Sequence, residues 1–456
     1  IRRPPRSTPK PSSAASDVYK RQAQDFMSET QPRIVITGLG QISSLGNTIE
    51  QLATALESQQ SGVRTLEQIP FEHLIASYGG EAWDFSGDIE NYGPLEKTAK
   101  RAIKKGSRLM CREIQMGVAS AQHALHDGGV NAEVVNPDRI GIVYGCDYIL
   151  SHPQEFREGV RASLDENGNF EFNNWAENGM PNLNPLWLLK YLPNMPASHI
   201  GIYNDLRGPS KSLTMREASS NLAIGEAICT IQRGDADVMI SGATGTRIHP
   251  LRTVYVNRQE VLASNNLEAA QASRPFEKNR EGMVVGEGAG SFILERLDHA
   301  IERGAKIYGE IVGFGSSTVI SPDFTPHFSQ ALSNVINQAL NTAEMTPDEI
   351  GHVNAHGISK IETDRCEAEA IKATFGNKKP VAALKSYTGN MGAGSGAVEL
   401  ISSLVALEKG TLFRTLNYET PDPECDINVT NGNDVPAGDS FINPVSYTHL
   451  TLPTKA

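Results

Sequence analysis

The cysteines are the first residues to consider, because a thiolate can act as a nucleophile or as a metal ligand. The chain has five of them, scattered along its length: Cys111, Cys146, Cys229, Cys366 and Cys425. They show neither the CxxC or Cys/His spacing of a zinc site nor a disulfide framework. We therefore expect no metal centre and a reducing, cytoplasmic compartment. Cys146 follows a predicted strand and is either a nucleophile or a buried structural thiol, and the second interpretation is favoured.

A basic segment is the second chemical feature. Residues 97–112 hold seven lysines and arginines and no acid, although the chain as a whole carries a net charge of −12. Helical spacing would place Lys104, Arg108 and Arg112 on one face, one turn apart. The segment is either a solvated helix face or a docking patch, since local positive potential steers an acidic partner despite an opposing net charge. The candidate docking residues are Lys104, Lys105, Arg108 and Arg112.

Composition limits the class of protein. The chain has 456 residues, of which 39% are hydrophobic and 6% aromatic, values typical of a soluble globular enzyme. Its negative charge argues against nucleic-acid binding, which requires a basic surface. No run of about 18 apolar residues is present, so no membrane span is expected. The partners should be small molecules or proteins.

The pattern of apolar residues predicts the elements that position this chemistry. Buried strands are expected at 33–40, 140–145, 238–242 and 291–295, and a strand at 307–315 opens a second unit. Helices are expected at 47–58, at 107–127, after Glu217 and at 327–343. Strands that alternate with helices of this length predict parallel sheets covered on both faces.

The two ends do not continue this pattern. Residues 1–22 are rich in Pro, Ser and Arg without apolar periodicity, and 446–456 continue no preceding pattern. Both resemble translated sequencing-adapter read-through, so we expect disordered, non-native tails and a missing native C-terminus.

Six segments, in the expected order and spacing, resemble the β-ketoacyl-[acyl carrier protein] synthases of the thiolase superfamily, in particular those of the KAS II type. They are VITGLGQISSLGNT (35–48), DLRGPS (205–210), GDADVMISGAT (234–244), SRPFEKNREGMVVGEGAGSFILE (273–295), VNAHGISKIETDRCEAEAI (353–371) and KSYTGNMGAGSGAVE (385–399). The resemblance implies an α/β, thiolase-like fold. In it, two βαβ-based halves, 32–295 and a truncated 306–445, form a layered αβαβα architecture.

The resemblance also implies a site with an unusual composition. In that family a cysteine at the turn into a central helix attacks an acyl thioester, and two histidines assist the decarboxylation of malonyl-ACP. The cysteine maps to Glu217, and the two histidines map to His356 and Asn390. The remaining positions are intact: the family lysine is Lys385, and Asp364 and Glu367 are supporting residues. Glu217 is expected either to pair with His356, which would raise the pKa of that histidine, or to take part in acyl binding.

The replacement of the thiol governs the functional prediction. A carboxylate is a poor nucleophile toward a thioester, so ordinary condensation lacks its acceptor. The sequence therefore predicts a chain-length-factor-like partner of an active ketosynthase in fatty acid or polyketide biosynthesis, and it leaves open whether the chain is itself an enzyme. The alternative is an active 3-oxoacyl-ACP synthase or a malonyl-ACP decarboxylase.

The same resemblance predicts the partners. The acyl carrier protein would present the substrate on its 4'-phosphopantetheine arm, and no separate cofactor is expected. A dimer is expected as well, formed either by two copies of this chain or with a catalytic ketosynthase. The family's final glycine-rich loop does not appear in the sequence, which we attribute to truncation.

Overall fold

The computed structural model describes residues 32–69 and 76–446. The tail predicted at 1–22, and residues 447–456 of the second predicted tail, lie outside the described residues. Within the described part, every helix is too short or too polar to cross a lipid bilayer.

The first half of the chain builds one large sheet. Its strands are β1 (Ile34–Ile42), β2 (Arg64–Thr65), β3 (Tyr78–Gly80), β4 (Ile140–Cys146), β5 (Ser210–Leu213), β6 (Val238–Thr246), β7 (Val285–Arg296) and β8 (Gly309–Glu310). The strands lie in the order β8, β1, β7, β6, β4, β5. In addition, β3 pairs with the first residues of β7, and β2 pairs with β3.

The strand directions of the large sheet correct the prediction of parallel sheets. β4 runs parallel to both β5 and β6, but β7 runs antiparallel to β6 and to β1. The sheet is therefore mixed, because the long connection after β6 returns the chain to the same end of the sheet before β7 begins. The strand predicted at 307–315 forms only at β8, where it pairs with β1.

The helices of this half are α1 (Ile49–Glu57), α2 (Lys97–Gly106), α3 (Arg112–Asp127), α4 (Arg157–Ala162), α5 (Met195–Tyr203), α6 (Ser219–Gln232), α7 (Pro250–Gln259) and α8 (Leu297–Glu302). The helix predicted at 107–127 begins only at Arg112, because a 3-10 turn at Ser107–Leu109 ends α2 and separates it from α3. β1, β4 and β6 are buried along their whole length, as expected for strands with helices on both faces.

The second half builds a smaller sheet from β9 (His352–Asn354), β10 (Pro380–Ala382), β12 (Asn428–Val429) and β14 (Phe441–Ile442). These strands are parallel in the order β12, β10, β9, β14. A separate antiparallel pair joins β11 (Thr411–Leu412) to β13 (Val435–Pro436). The helices are α9 (Phe328–Ala343), α10 (Ile361–Phe375), α11 (Lys385–Thr388) and α12 (Ser395–Lys409).

Three hydrophobic clusters order these elements into layers. The largest joins α6 and α12 to residues of both sheets, so the two helices form the central layer. A second cluster packs α3 and α5 on the outer face of the large sheet. A third packs α9 and α10 on the outer face of the small sheet. The result is the αβαβα arrangement expected from the sequence, with the strand ends and the N-termini of α6 and α12 meeting at its centre.

Candidate active site

Glu217 lies in a sharp turn at the start of the central helix α6. A 3-10 turn at Arg216–Ala218 leads directly into α6, and Arg216 takes a left-handed backbone conformation with φ of 48°. The hydroxyl of Ser219 ties the turn together, since it accepts a hydrogen bond from the Met215 amide at 2.8 Å and donates one to the Cys146 carbonyl at 3.2 Å. The turn buries Glu217, which is 6% exposed.

The Glu217 carboxylate is held by two side chains that converge on one oxygen. Arg247 donates from Nη2 to Oε1, and Asn390 donates from Nδ2 to the same atom at 3.0 Å. Arg216 lies 3.9 Å from the other oxygen. Burial alone would raise the pKa of Glu217, but the charges of Arg247 and Arg216 outweigh it and hold the pKa well below its usual range. Glu217 is therefore an ionised carboxylate whose Oε1 accepts two hydrogen bonds.

His356 follows β9 and faces a lysine rather than Glu217. Its Nδ1 accepts from Lys385 Nζ at 3.1 Å, and Lys385 is ion-paired with the buried Glu399. Burial, followed by the positive charge of Lys385, holds the pKa of His356 well below its ordinary value, although Glu217 opposes the shift. The prediction of a Glu217–His356 pair with a raised histidine pKa is therefore wrong. Arg247 pairs with the carboxylate, and burial together with Lys385 favours the neutral imidazole.

Glu367 and Asp364 hold the loop that carries His356. Glu367 accepts from the backbone amides of His356 at 2.6 Å and Gly357 at 2.8 Å. Asp364 accepts from the amides of Phe276 at 3.0 Å and Ile358 at 3.1 Å. Burial raises the pKa of Glu367 to about 8 and that of Asp364 to about 6. Both carboxyl groups act on the backbone, so they position His356.

Asn390 occupies the loop between α11 and α12 and has a fixed orientation. Its Oδ1 accepts from the Gly392 amide at 3.0 Å and from the Ser395 hydroxyl at 3.3 Å. These bonds leave Nδ2 to donate to Glu217. The amide therefore serves as a fixed partner of the carboxylate.

The sequence interpretation missed the charged side chains behind Glu217. Arg247 lies with Nη1 3.6 Å from Asp147, the same Asp147 oxygen lies 3.6 Å from Arg252, and Arg252 lies 3.9 Å from Glu113. All are 6% exposed or less. We call Asp147, Glu217, Arg247 and Arg252 the buried ion cluster, and Glu113 lies at its edge. Its signal in the sequence was a charged residue directly after each of two buried strands, Asp147 after β4 and Arg247 after β6.

Cys146 lies beside this cluster and is completely buried. Its Sγ donates to Glu113 at 3.5 Å. Burial, reinforced by the neighbouring Glu113, holds the pKa of the thiol well above its ordinary value. Burial also raises the pKa of Glu113 to about 8. These properties are those of a structural thiol.

The basic segment is divided in the structure. Lys104 and Lys105 lie exposed near the end of α2, and Arg108 lies exposed in the following 3-10 turn. Arg112 begins α3, where it forms a salt bridge at 2.7 Å with the buried Glu287 and donates to the carbonyl of Phe85 at 2.6 Å. The prediction that Lys104, Arg108 and Arg112 share one helical face is therefore wrong. α2 ends at Gly106, and Arg112 is directed into the protein.

The described part of the chain has no group of three or more His, Cys, Asp or Glu side chains placed to hold a metal ion.

Family models match most of the chain. Residues 31–300 match the "Beta-ketoacyl synthase, N-terminal domain" and residues 308–419 match the "Beta-ketoacyl synthase, C-terminal domain". The chain belongs to the β-ketoacyl synthase family.

Two relatives of this synthase homologue are identical to it at about 30% of the aligned residues. It is 30% identical over 409 residues to 3-oxoacyl-[acyl-carrier-protein] synthase 2 of Synechocystis sp., covering 88% of this chain and 91% of the relative. It is 32% identical over 395 residues to the Vibrio cholerae protein of the same name, covering 86% of this chain and 89% of the relative.

Solved structures share the fold. A β-ketoacyl synthase from Burkholderia phymatum is 28% identical with a TM-score of 0.76, covering 90% of this chain and 94% of that one. The ishigamide ketosynthase/chain length factor is 23% identical with a TM-score of 0.76, covering 91% and 96%. A type II polyketide ketosynthase in complex with its acyl carrier protein is 24% identical with a TM-score of 0.71, covering 88% and 92%. The last two show the fold alone.

Proposed function

We propose that this β-ketoacyl synthase homologue does not condense acyl groups by itself and acts as a chain-length-factor-like partner of an active ketosynthase. The observation that carries the proposal is the state of Glu217. At the turn into α6, it is an ionised carboxylate bound by Arg247 and Asn390. A carboxylate held in this way is a weak nucleophile toward a thioester, and any mixed anhydride would be hydrolytically labile.

The neighbouring groups support the same conclusion. Nδ1 of His356 faces Lys385, so the neutral ring carries its proton on Nε2. That nitrogen can donate one hydrogen bond to a developing negative charge. The position of the second family histidine supplies only the Asn390 amide, which already donates to Glu217 and cannot become a cation.

An exposed sheet edge supports the assignment of a partner subunit. β5 is the last strand of the large sheet, and among the described strands it pairs only with β4. Ser210 and Lys211 of β5 are exposed. An unpaired strand edge presents backbone donors and acceptors to another chain, so β5 is the surface that we assign to dimer formation.

Acylation of the purified protein tests the proposal. The chain is incubated with acyl-ACP and malonyl-ACP, alone and after co-expression with a ketosynthase that keeps the family's cysteine and two histidines. We expect no acyl adduct on this chain, condensation only in the presence of the partner, and a native mass that contains both chains.

Two results would contradict the proposal. One is a stable acyl adduct mapped by peptide analysis to any residue of this chain, which would favour the alternative of an active synthase. The other is release of carbon dioxide from malonyl-ACP by the chain alone, which would identify a decarboxylase.

A further inference from the structure

A cavity of about 450 Å³ borders the buried ion cluster at Arg252. Its apolar lining includes Ile69, Ile149, Leu150, Ile248 and Pro250. A cavity of this size and lining could hold a short aliphatic chain.

The buried ion cluster connects Glu217 to this cavity contact by contact. Glu113 and Arg252 line the cavity, whereas Glu217 and Arg247 are not among its lining residues. Asp147 bridges the gap, since one of its oxygens lies 3.6 Å from both arginines. The path from Glu217 to the cavity therefore passes through guanidinium and carboxylate groups.

The surrounding backbone is shaped to hold Arg247 in this path. Gly392 has a φ of 62°, and a Cβ atom at that position would lie 3.3 Å from Nε of Arg247 and 3.6 Å from an Asp147 oxygen. A larger residue would press on the ion pair in a strained backbone conformation. Arg247 is 1% exposed, so protein atoms surround its guanidinium.

We propose that the buried ion cluster is a plug that closes the passage between position 217 and the cavity. An aliphatic chain offers neither a charge nor a hydrogen bond to the groups it would displace, so its passage would leave buried charges unpaired. This goes beyond the proposed function, because a thiol placed at position 217 would still meet a closed passage.

The test uses the variants E217C and E217C/R247S with acetyl- and octanoyl-pantetheine as acyl donors. The thiolate attacks the thioester carbon, a new C–S bond forms, and pantetheine leaves as a thiol after taking a proton. Because the attacked carbon lies between pantetheine and the acyl tail, the two arms extend in different directions from position 217. Intact-mass measurement gives the two acylation rates.

We expect E217C to accept octanoyl at least about tenfold more slowly than acetyl. E217C/R247S should reduce the difference to about threefold or less, because Arg247 is the group of the cluster next to position 217 and serine leaves room for the tail beside Asp147. The matched control is E217C/R233S. Arg233 pairs on the surface with Glu226 and Asp235, so this control should retain the tenfold difference. Octanoyl and acetyl transfer at equal rates to E217C would overturn the plug.

A second measurement decides the case in which neither donor acylates either variant. Ethyl and octyl methanethiosulfonate attach the tails as disulfides, with methanesulfinate as the leaving group. We expect the octyl adduct to melt higher than the ethyl adduct in E217C/R247S, where the tail reaches the cavity, but not in E217C. The same rise in both variants would overturn the plug. Neither result bears on the proposed function, since the natural chain has no thiol at this position.

Discussion

At the residue scale, Arg247 determines the chemistry of Glu217. Its guanidinium is buried between Glu217 and Asp147, and together with Arg216 it holds the pKa of the Glu217 carboxyl well below the usual range against the effect of burial. A permanent negative charge at the start of α6 also interacts favourably with the helix N-terminus. The site therefore keeps a fixed charge at the position that the family resemblance assigns to a reactive thiol.

The first prediction tests that pair with one single and one double variant. E217Q should lower the free energy of unfolding by about 3 kcal/mol, because it removes one of the two carboxylates beside the buried guanidinium of Arg247. E217Q/R247M should recover most of that loss, since both charges are removed and the methionine fills much of the volume. Urea denaturation at pH 7 measures both. A cost below about 1 kcal/mol for E217Q would mean that Arg247 does not depend on Glu217.

The second prediction concerns His356. Burial and the charge of Lys385 lower its pKa, so the imidazole should stay neutral in the folded protein at a pH where an exposed histidine begins to take up a proton. K385M removes the opposing positive charge and should raise the pKa of His356. NMR titration of the histidine ring in the parent and in K385M measures the shift, and the exposed His327 serves as an internal reference. A lower pKa for His356 in K385M would show that Lys385 does not face the imidazole as a cation.

At the element scale, the boundary between α2 and α3 divides the basic segment into two parts with different roles. Lys104, Lys105 and Arg108 project from the end of α2 and the following turn, whereas Arg112 starts α3 and binds the buried Glu287. We propose that the three exposed residues form a carrier-protein docking patch. Arg112 is assigned to the packing of α3.

The third prediction tests this patch. K104E/R108E should weaken binding of holo-ACP and reduce its salt dependence, chiefly through a slower association rate, because exposed charges act on encounter. The matched control is K278E/K378E, which makes the same change in net charge at two other exposed lysines. Thermal stability should change by only about 0.5 kcal/mol in either variant.

Surface plasmon resonance at several salt concentrations distinguishes the two variants. Equal binding by K104E/R108E and by the parent at low salt would assign the segment to a solvated helix face. A loss of binding in the control as large as in K104E/R108E would indicate an effect of net charge alone.

At the scale of the whole molecule, the layered architecture concentrates ionisable groups at its centre, and their burial makes stability depend on pH. The pKa of Glu113 is raised from 4.5 to about 8, and that of Glu367 from 4.5 to about 8. Between pH 4.5 and about 8, each of these carboxyl groups keeps in the folded chain a proton that it has lost in the unfolded chain. The free energy of unfolding therefore falls as the pH rises. His356 has the opposite effect on stability, because its pKa is lowered in the folded chain. The stability that it contributes is lost as the pH falls below about 6.5.

The fourth prediction isolates the carboxyl groups in the range above the histidine. Between pH 6.5 and 8, the unfolding free energy of the parent should fall, with Glu113 contributing up to about 1.4 kcal/mol per pH unit. E113Q resembles the protonated acid in shape and should therefore show a smaller fall. Urea denaturation at four pH values measures the two slopes. Parallel curves for the parent and E113Q would show that Glu113 is already ionised in the folded protein.

The sequence by itself determined the family, the order of the main elements and the identity of the side chain at position 217. β1, β4 and β6 were predictable because strands buried on both faces appear as continuous runs of apolar and small residues. The motif around His356 marked the loop that Asp364 and Glu367 hold. These features are local, so periodicity and motif spacing encode them.

The tertiary structure decided which charges meet. Arg247 follows β6, thirty residues beyond Glu217, and Asp147 follows β4; parallel pairing of β4 with β6 brings their ends together. The antiparallel direction of β7 depended likewise on the path of a long connection that apolar periodicity does not encode. Ion pairing depends on distance in space and on burial, so the replacement of the expected His356 partner by Arg247 appeared only when the strand ends were placed side by side.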